Sequence, residues 1–139
     1  MNAQVTHLVG TYPAEDIGKL FLRVSLGGLF LMHGIAKLTG GIDFITQTVT
    51  GAGLPGFFAY AVYIGEVVAP VLLIAGWYSR VGAGLIALNM LFAIGLVHGP
   101  ELLMLGGSGG WALELQGMFL FTAIALALIG PGRYRINDR

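Results

Sequence analysis

Ile17-Gly-Lys-Leu-Phe-Leu-Arg23-Val-Ser-Leu-Gly-Gly-Leu-Phe-Leu-Met-His33-Gly-Ile-Ala-Lys37-Leu38 is the stretch that decides the fold. A helix needs about 20 mostly apolar residues to cross a bilayer, and this run is that long. Yet it carries Arg23, His33 and Lys37 inside it. A charge at the bilayer centre costs about 2.5–3.5 kcal/mol on insertion scales. Such groups therefore pair with one another, face a polar cavity or reach for an interface, and any function is expected where they gather.

The rest of the chain repeats the theme. Of the 139 residues, 56% are hydrophobic and only 10% charged, with a mean hydropathy of +0.83. A soluble fold of this size would have too few charges to cover its outside. Three further runs read as membrane helices, at about 57–77, 81–98 and 111–129. The second contains Pro70, a kink site, and the fourth stops at Gly130-Pro131-Gly132, a strong breaker. The expectation is an all-α, integral-membrane four-helix bundle forming one domain over 1–139. Residues 1–16 read as a short polar arm, not a cleaved signal, because the start lacks Lys and Arg. Glu15 and Asp16 then fall in a helix's first turn.

Two longer connections, Thr39 to Gly56 and Gly99 to Gly110, follow the first and third helices and share one side of the membrane. Lys19, Arg80, Arg133, Arg135 and Arg139 flank the termini and the short 78–80 connection, whereas only Lys37 lies near the long loops. The positive-inside rule then places both termini in the cytoplasm of a bacterial cell, with a multi-pass inner-membrane location. Trp77, Tyr78, Trp111 and Tyr134 at helix ends suit an aromatic belt. Small residues at i, i+4 (Gly65 and Ala69, Ala83 and Ala87, Ala123 and Ala127) allow close helix approach. Zero formal net charge gives no basic patch for nucleic acid. The absence of cysteine excludes disulfides and thiol relays.

Helix rise places the polar groups by depth. His33 and Lys37 share a face near the outer end of the first helix. Glu66 and Asn89 fall near mid-membrane on the second and third. His98 ends the third, and Glu114 and Gln116 open the fourth. All point to the outer half of the bundle. Arg23, one turn from the cytoplasmic end, is expected to snorkel there as a structural anchor.

Each group has a plain reading beside a functional one. Glu66 is either a paired clamp between helices or a ligand and proton-transfer group. His33 is either a satisfied core residue or an acid–base group. Lys37 snorkels outward or pairs with Glu66 or Glu114. Asn89 is interhelical glue or a pocket donor, His98 a helix-end cap or a pocket residue, and Glu114 a favourable acidic first turn or a ligand contact. A metal is not expected at His33, His98, Glu66 and Glu114, because no HExxH or Glu-x-x-His spacing is present. Haem ligation by His33 and His98 is disfavoured, because their depths differ by about one turn or more. The Gly106 to Gly110 run follows a membrane helix, not a strand, so it is no phosphate cradle.

The Arg23-to-Leu38 segment, with its Gly34-x-x-Lys37 ending, and Gly65-Glu66 leading through Pro70 to Gly76 resemble the DoxX family of small bacterial inner-membrane proteins. The resemblance runs from about Leu20 to Arg135. It implies a four-helix membrane protein, with relatives in a thiosulfate:quinone oxidoreductase and in aromatic-compound metabolism. Arg23, His33, Lys37 and Glu66 are the matching positions, and no catalytic assignment comes with them. The leading expectation is a pocket for a small lipophilic redox ligand such as a quinone. Glu66 and His33 would handle protons, and Lys37, Asn89, His98 and Glu114 would line the site. The lipid bilayer is then the first partner, with a redox partner protein as electron donor. The alternatives are a non-enzymatic subunit that anchors a partner protein, and a small transporter that would need a homo-oligomer.

Overall fold

The computed structural model describes residues 3–137, with side chains from Ala14 onward. The described chain is all-α. Helix α1 spans Ala3–Gly40 and α2 spans Asp43–Gly51. Helix α3 runs Gly56–Ala75, α4 Ser79–Leu96 and α5 Glu114–Ile129. Three segments are long and apolar enough to cross a membrane: Ala14–Gly40, Gly56–Ala75 and Ser79–Leu96. Helix α5 is as apolar but has only 16 residues.

Three expectations are corrected. The polar start is not an arm, since α1 is continuous from Ala3; polarity argues against burial, not against helix. Glu15 and Asp16 therefore lie well inside α1 rather than in a first turn. The connection from Thr39 to Gly56 is not an open loop, because α2 folds within it. Ile42, Ile45 and Val49 recur at helical spacing, and Ile42 and Val49 bury against Ala59 of α3. The last helix starts at Glu114, not 111. Residues before it close a tight turn, with Leu105 paired to Trp111 and Gly106 N–H donating to the Gly110 carbonyl. Gly109 supplies the positive φ of that turn.

Helices α1, α3, α4 and α5 pack around one core. Leu26 and Phe30 come from α1, Ala69 and Leu73 from α3, Ala83, Ile86, Ala87 and Met90 from α4, and Leu120, Ala123 and Leu126 from α5. The small residues let backbones close up: a Cβ at Gly82 would stand 2.9 Å from the Ala69 carbonyl oxygen. The outward faces, including Phe21, Met32, Leu88, Phe92 and Phe121, expose large apolar side chains, as a lipid-facing surface requires.

One end is held by Arg23. It does not snorkel; it is 1% exposed. Its Nε donates to the Leu73 carbonyl at 2.9 Å and its Nη2 to Ile74 at 3.2 Å. Its Nη1 donates to the carbonyls of Pro131 and Tyr134. Leu73 and Ile74 belong to the last turn of α3, whose carbonyls lack the regular donor four residues on; Leu73 also accepts from Gly76 N–H at 3.2 Å. A planar guanidinium satisfies several at once and ties the C-terminal segment to them. Asp16 Oδ1 accepts from Arg133 N–H, Asn137 Oδ1 accepts from Tyr78 N–H, and Arg80 donates to the carbonyls of Ala127 and Leu128. Lys19, Arg80, Arg133 and Arg135 thus gather at this end, where the C-terminal strap crosses the 76–79 turn; Arg139 lies outside the described residues.

Hydrogen bonds from a charged donor contribute about 1.5–3 kcal/mol each. Arg23→Met strips the charged donor from four carbonyls and is expected to lose at least about 3 kcal/mol of stability. Arg23→Lys, with one compact ammonium, should fall between. Thermal unfolding in detergent checks the order: wild type, then lysine, then methionine.

Candidate functional site

The opposite end holds a half-open cavity of about 380 Å³ between α1, α2, α3, α4 and α5. Its centre is a defect in α3. That rod begins as a tight turn over Gly56–Tyr60, widens to a π-turn over Ile64–Val68 and resumes as α-helix over Ala69–Ala75. Ala69 N–H bonds the carbonyl of Ile64, five residues back. The cause sits at Pro70. Proline has no N–H for the carbonyl four residues before it, and its ring would strike that carbonyl in a regular helix. The residue concerned is Glu66. The extra residue of the π-turn relieves the clash, and such bulges collect at functional sites.

Glycine lets α1 meet this turn. A Cβ at Gly34 would overlap the Glu66 carbonyl group, so only glycine permits the approach. Gly65 does the same for α4, where a Cβ would stand 2.7 Å from the Asn89 side chain. One helical turn beyond Gly34, Lys37 Nζ lies 2.6 Å from Glu66 Oε2. Glu66 is 6% exposed. The contact is ionic rather than a well-directed hydrogen bond, since no donor stands in line with Oε2. Tyr63, also on α3, donates its hydroxyl to the Lys37 carbonyl at 3.3 Å, a second link between the same two helices.

Around this pair the cavity is lined by His33, Asn89, His98 and Gln116. Its walls are mostly apolar, with Phe30 and Phe119 on one side and Phe44, Val49 and Phe58 on the α2 side. Phe30 and Phe119 meet edge to face at 5.3 Å, and the His33 ring stands edge-on to Phe119 at 6.1 Å. His98 Nδ1 is 3.5 Å from Glu101 Oε1. Among the described residues, no three His, Asp or Glu side chains converge as a metal set.

Of the residues singled out from sequence, His33, Lys37, Glu66, Asn89 and His98 are therefore brought to one cavity. Two are not. Arg23 serves the other end of the fold. Glu114 is exposed, and its carboxylate packs on the Gly110 backbone instead. Sequence reading missed the α2 roof and Tyr63. The Ile42, Ile45, Val49 spacing was the available signal for the first; nothing in the sequence marked the second.

The comparisons with known proteins bear on this arrangement. The model of the DoxX family matches residues 18–99. The chain belongs to the DoxX family. Within it, the "Putative oxidoreductase CatD" of Bacillus subtilis (strain 168) is 35% identical over 115 residues, which is 83% of this chain and 81% of that protein. The "Inner membrane protein YqjF" of Escherichia coli (strain K12) is 30% identical over 128 residues, 88% of this chain and 92% of that protein. No solved structure matches the chain. The DoxX match contains His33, Lys37, Glu66, Asn89 and His98 of the cavity, and leaves out its Gln116 as well as Glu114.

Two expected outcomes follow from the Gly34 and Lys37 contacts. Gly34→Ala forces α1 from the π-turn and should destabilise by about 1–3 kcal/mol, the usual cost of overpacking. Gly28→Ala, in the same helix with open space around it, should be neutral or stabilise by about 0.5–1 kcal/mol. Thermal midpoints of the two variants, measured side by side, give the comparison. Lys37→Met alone leaves a buried carboxylate unpaired, so it should be less stable than the Lys37→Met, Glu66→Gln double variant. A double-mutant cycle on the same unfolding assay reads the difference.

Proposed function

We propose that this DoxX protein binds a small lipophilic redox ligand of the quinone type in the α1–α5 cavity, as part of an oxidoreductase system. The observation that carries the reading is the Lys37–Glu66 ion pair in an otherwise mostly apolar cavity of about 380 Å³. Small-molecule sites combine an apolar wall with a few convergent polar groups, in volumes of about 300–1,000 Å³. A pair needed only to join two helices has no reason to face an open cavity with two histidines beside it.

The donor set fits such a ligand. A quinone supplies, when bound, an acceptor of two electrons and two protons. The chain's part is to hold it and handle protons. Phe30, Phe119 and Phe58 offer flat apolar contact. Lys37 Nζ and the Asn89 amide donate hydrogen bonds to carbonyl oxygens. Glu66, beside Lys37, is the carboxyl placed to hold or release a proton. His33 and His98 are the further proton-handling groups on the wall. Electrons come from a partner protein or a bound cofactor, and not through a thiol relay, since this chain has no cysteine.

In this reading α5 is the fourth crossing and the termini are cytoplasmic, because the basic residues collect at the Arg23 end. The cavity then lies in the outer half of a bacterial inner membrane. The name of the Bacillus subtilis relative supports the redox assignment, and that of the Escherichia coli relative supports the membrane.

The test is extraction of small molecules from protein purified in mild detergent, with quantification by mass spectrometry. Wild type is expected to carry a quinone near one per chain, and Glu66→Gln to lose most of it while keeping its helical circular dichroism. Folded wild type that retains no quinone, even after incubation with decylubiquinone, overturns the reading and favours a non-enzymatic subunit that anchors a partner.

A further inference from the structure

A second groove lies on the outer face of the α1–α5 seam, lined by Leu29, Met32, His33, Ala36, Leu115 and Phe119. His33, Leu115 and Phe119 line the cavity as well. These three side chains form a partition with the cavity on one side and the lipid-facing surface on the other. Leu29 and Met32 point outward, 52% and 67% exposed, within a segment able to cross a membrane. His33 is exposed on that surface although it borders the cavity. Within that shared wall, His33 and Phe119 meet edge to face at 6.1 Å.

Size gives this groove a use. At about 380 Å³ the cavity stands near the small end of small-molecule sites. It accommodates a ring-sized head and not a long hydrocarbon tail as well. A tail must leave, and every CH₂ left in water costs about 0.8 kcal/mol. The α1–α5 groove offers an apolar route that begins at the cavity wall and ends in lipid.

We infer that the α1–α5 groove is a lateral port that seats the hydrocarbon tail of the bound ligand, and that Phe119 and His33 are the gate residues through which the head reaches the cavity from the bilayer. This rests on the reading that the cavity takes a quinone head. The occupant is the tail of a membrane-borne quinone. Phe119 sets what passes, since its ring can turn about two side-chain torsions without moving the helix. Ala36 sets the width of the groove from outside and does not border the cavity.

The experiment uses the full chain in lipid nanodiscs and two probes with the same head, decylubiquinone and the tailless 2,3-dimethoxy-5-methylbenzoquinone. Affinities are read by extraction and mass spectrometry across a concentration series. Ala36→Trp fills the groove from the lipid side. It is expected to weaken decylubiquinone at least tenfold and to leave the tailless ring within twofold of wild type. Leu29→Trp, on the same groove, should repeat the pattern and stands in if the first variant does not fold. Phe119→Ala should raise the association rate of decylubiquinone. Unchanged affinity for both probes in both tryptophan variants overturns the port, as does an equal loss of both. Wild type that binds neither probe overturns the quinone reading itself, and the port with it. Wild type that binds the ring but gains nothing from the tail overturns the port alone.

Discussion

The buried contact between Lys37 and Glu66 is the constraint on which the functional end of this molecule depends. Taking a carboxylate out of water costs several kcal/mol, and a close cation is what makes it tolerable. That cation has to come from another helix, so the pair fixes the register of α1 against α3. The register in turn requires Gly34 opposite the Glu66 carbonyl, and the carbonyl sits where it does because Pro70 drives α3 into a π-turn. Charge, glycine and proline are thus one device. Changing any of the three disturbs the other two.

The same logic appears at the far end with a different chemistry. Arg23 has no carboxylate partner among the described residues; its partners are carbonyls left over by the end of α3 and by the C-terminal segment. A guanidinium suits that task because its donors fan out in a plane. One basic residue on α1 therefore closes each end of the fold, through an ion pair at one and through backbone capping at the other. The apolar core between them packs by small residues and has little to specify its register by itself, since lipid competes for every apolar face.

Much of this was legible in the sequence. Hydropathy and length revealed the three longest apolar helices, and depth along them put Glu66 and Asn89 near mid-membrane and His33 and Lys37 further out, all in one half of the bundle. The error at Glu114 came from treating depth as sufficient. Depth gives height along a helix and says nothing of which face a residue presents, so an exposed first-turn carboxylate looked equivalent to a buried one. The missed α2 came from weighting the glycines of 39–56 over the Ile42, Ile45, Val49 spacing between them. The snorkelling expected of Arg23 assumed an isolated helix, whereas here the neighbouring helix end supplies the oxygens.

By itself, then, the sequence determined that this is an all-α DoxX membrane protein and which ionisable residues fall in one half of the bundle, because apolar length and helical rise are local properties of a chain. Tertiary structure alone decided that Lys37 pairs with Glu66 rather than with Glu114, that Arg23 is buried, and that a helix roofs the cavity. Those outcomes depend on rotation about each helix axis and on how closely backbones approach. Both are set by contacts between residues far apart in the chain, which no local pattern encodes.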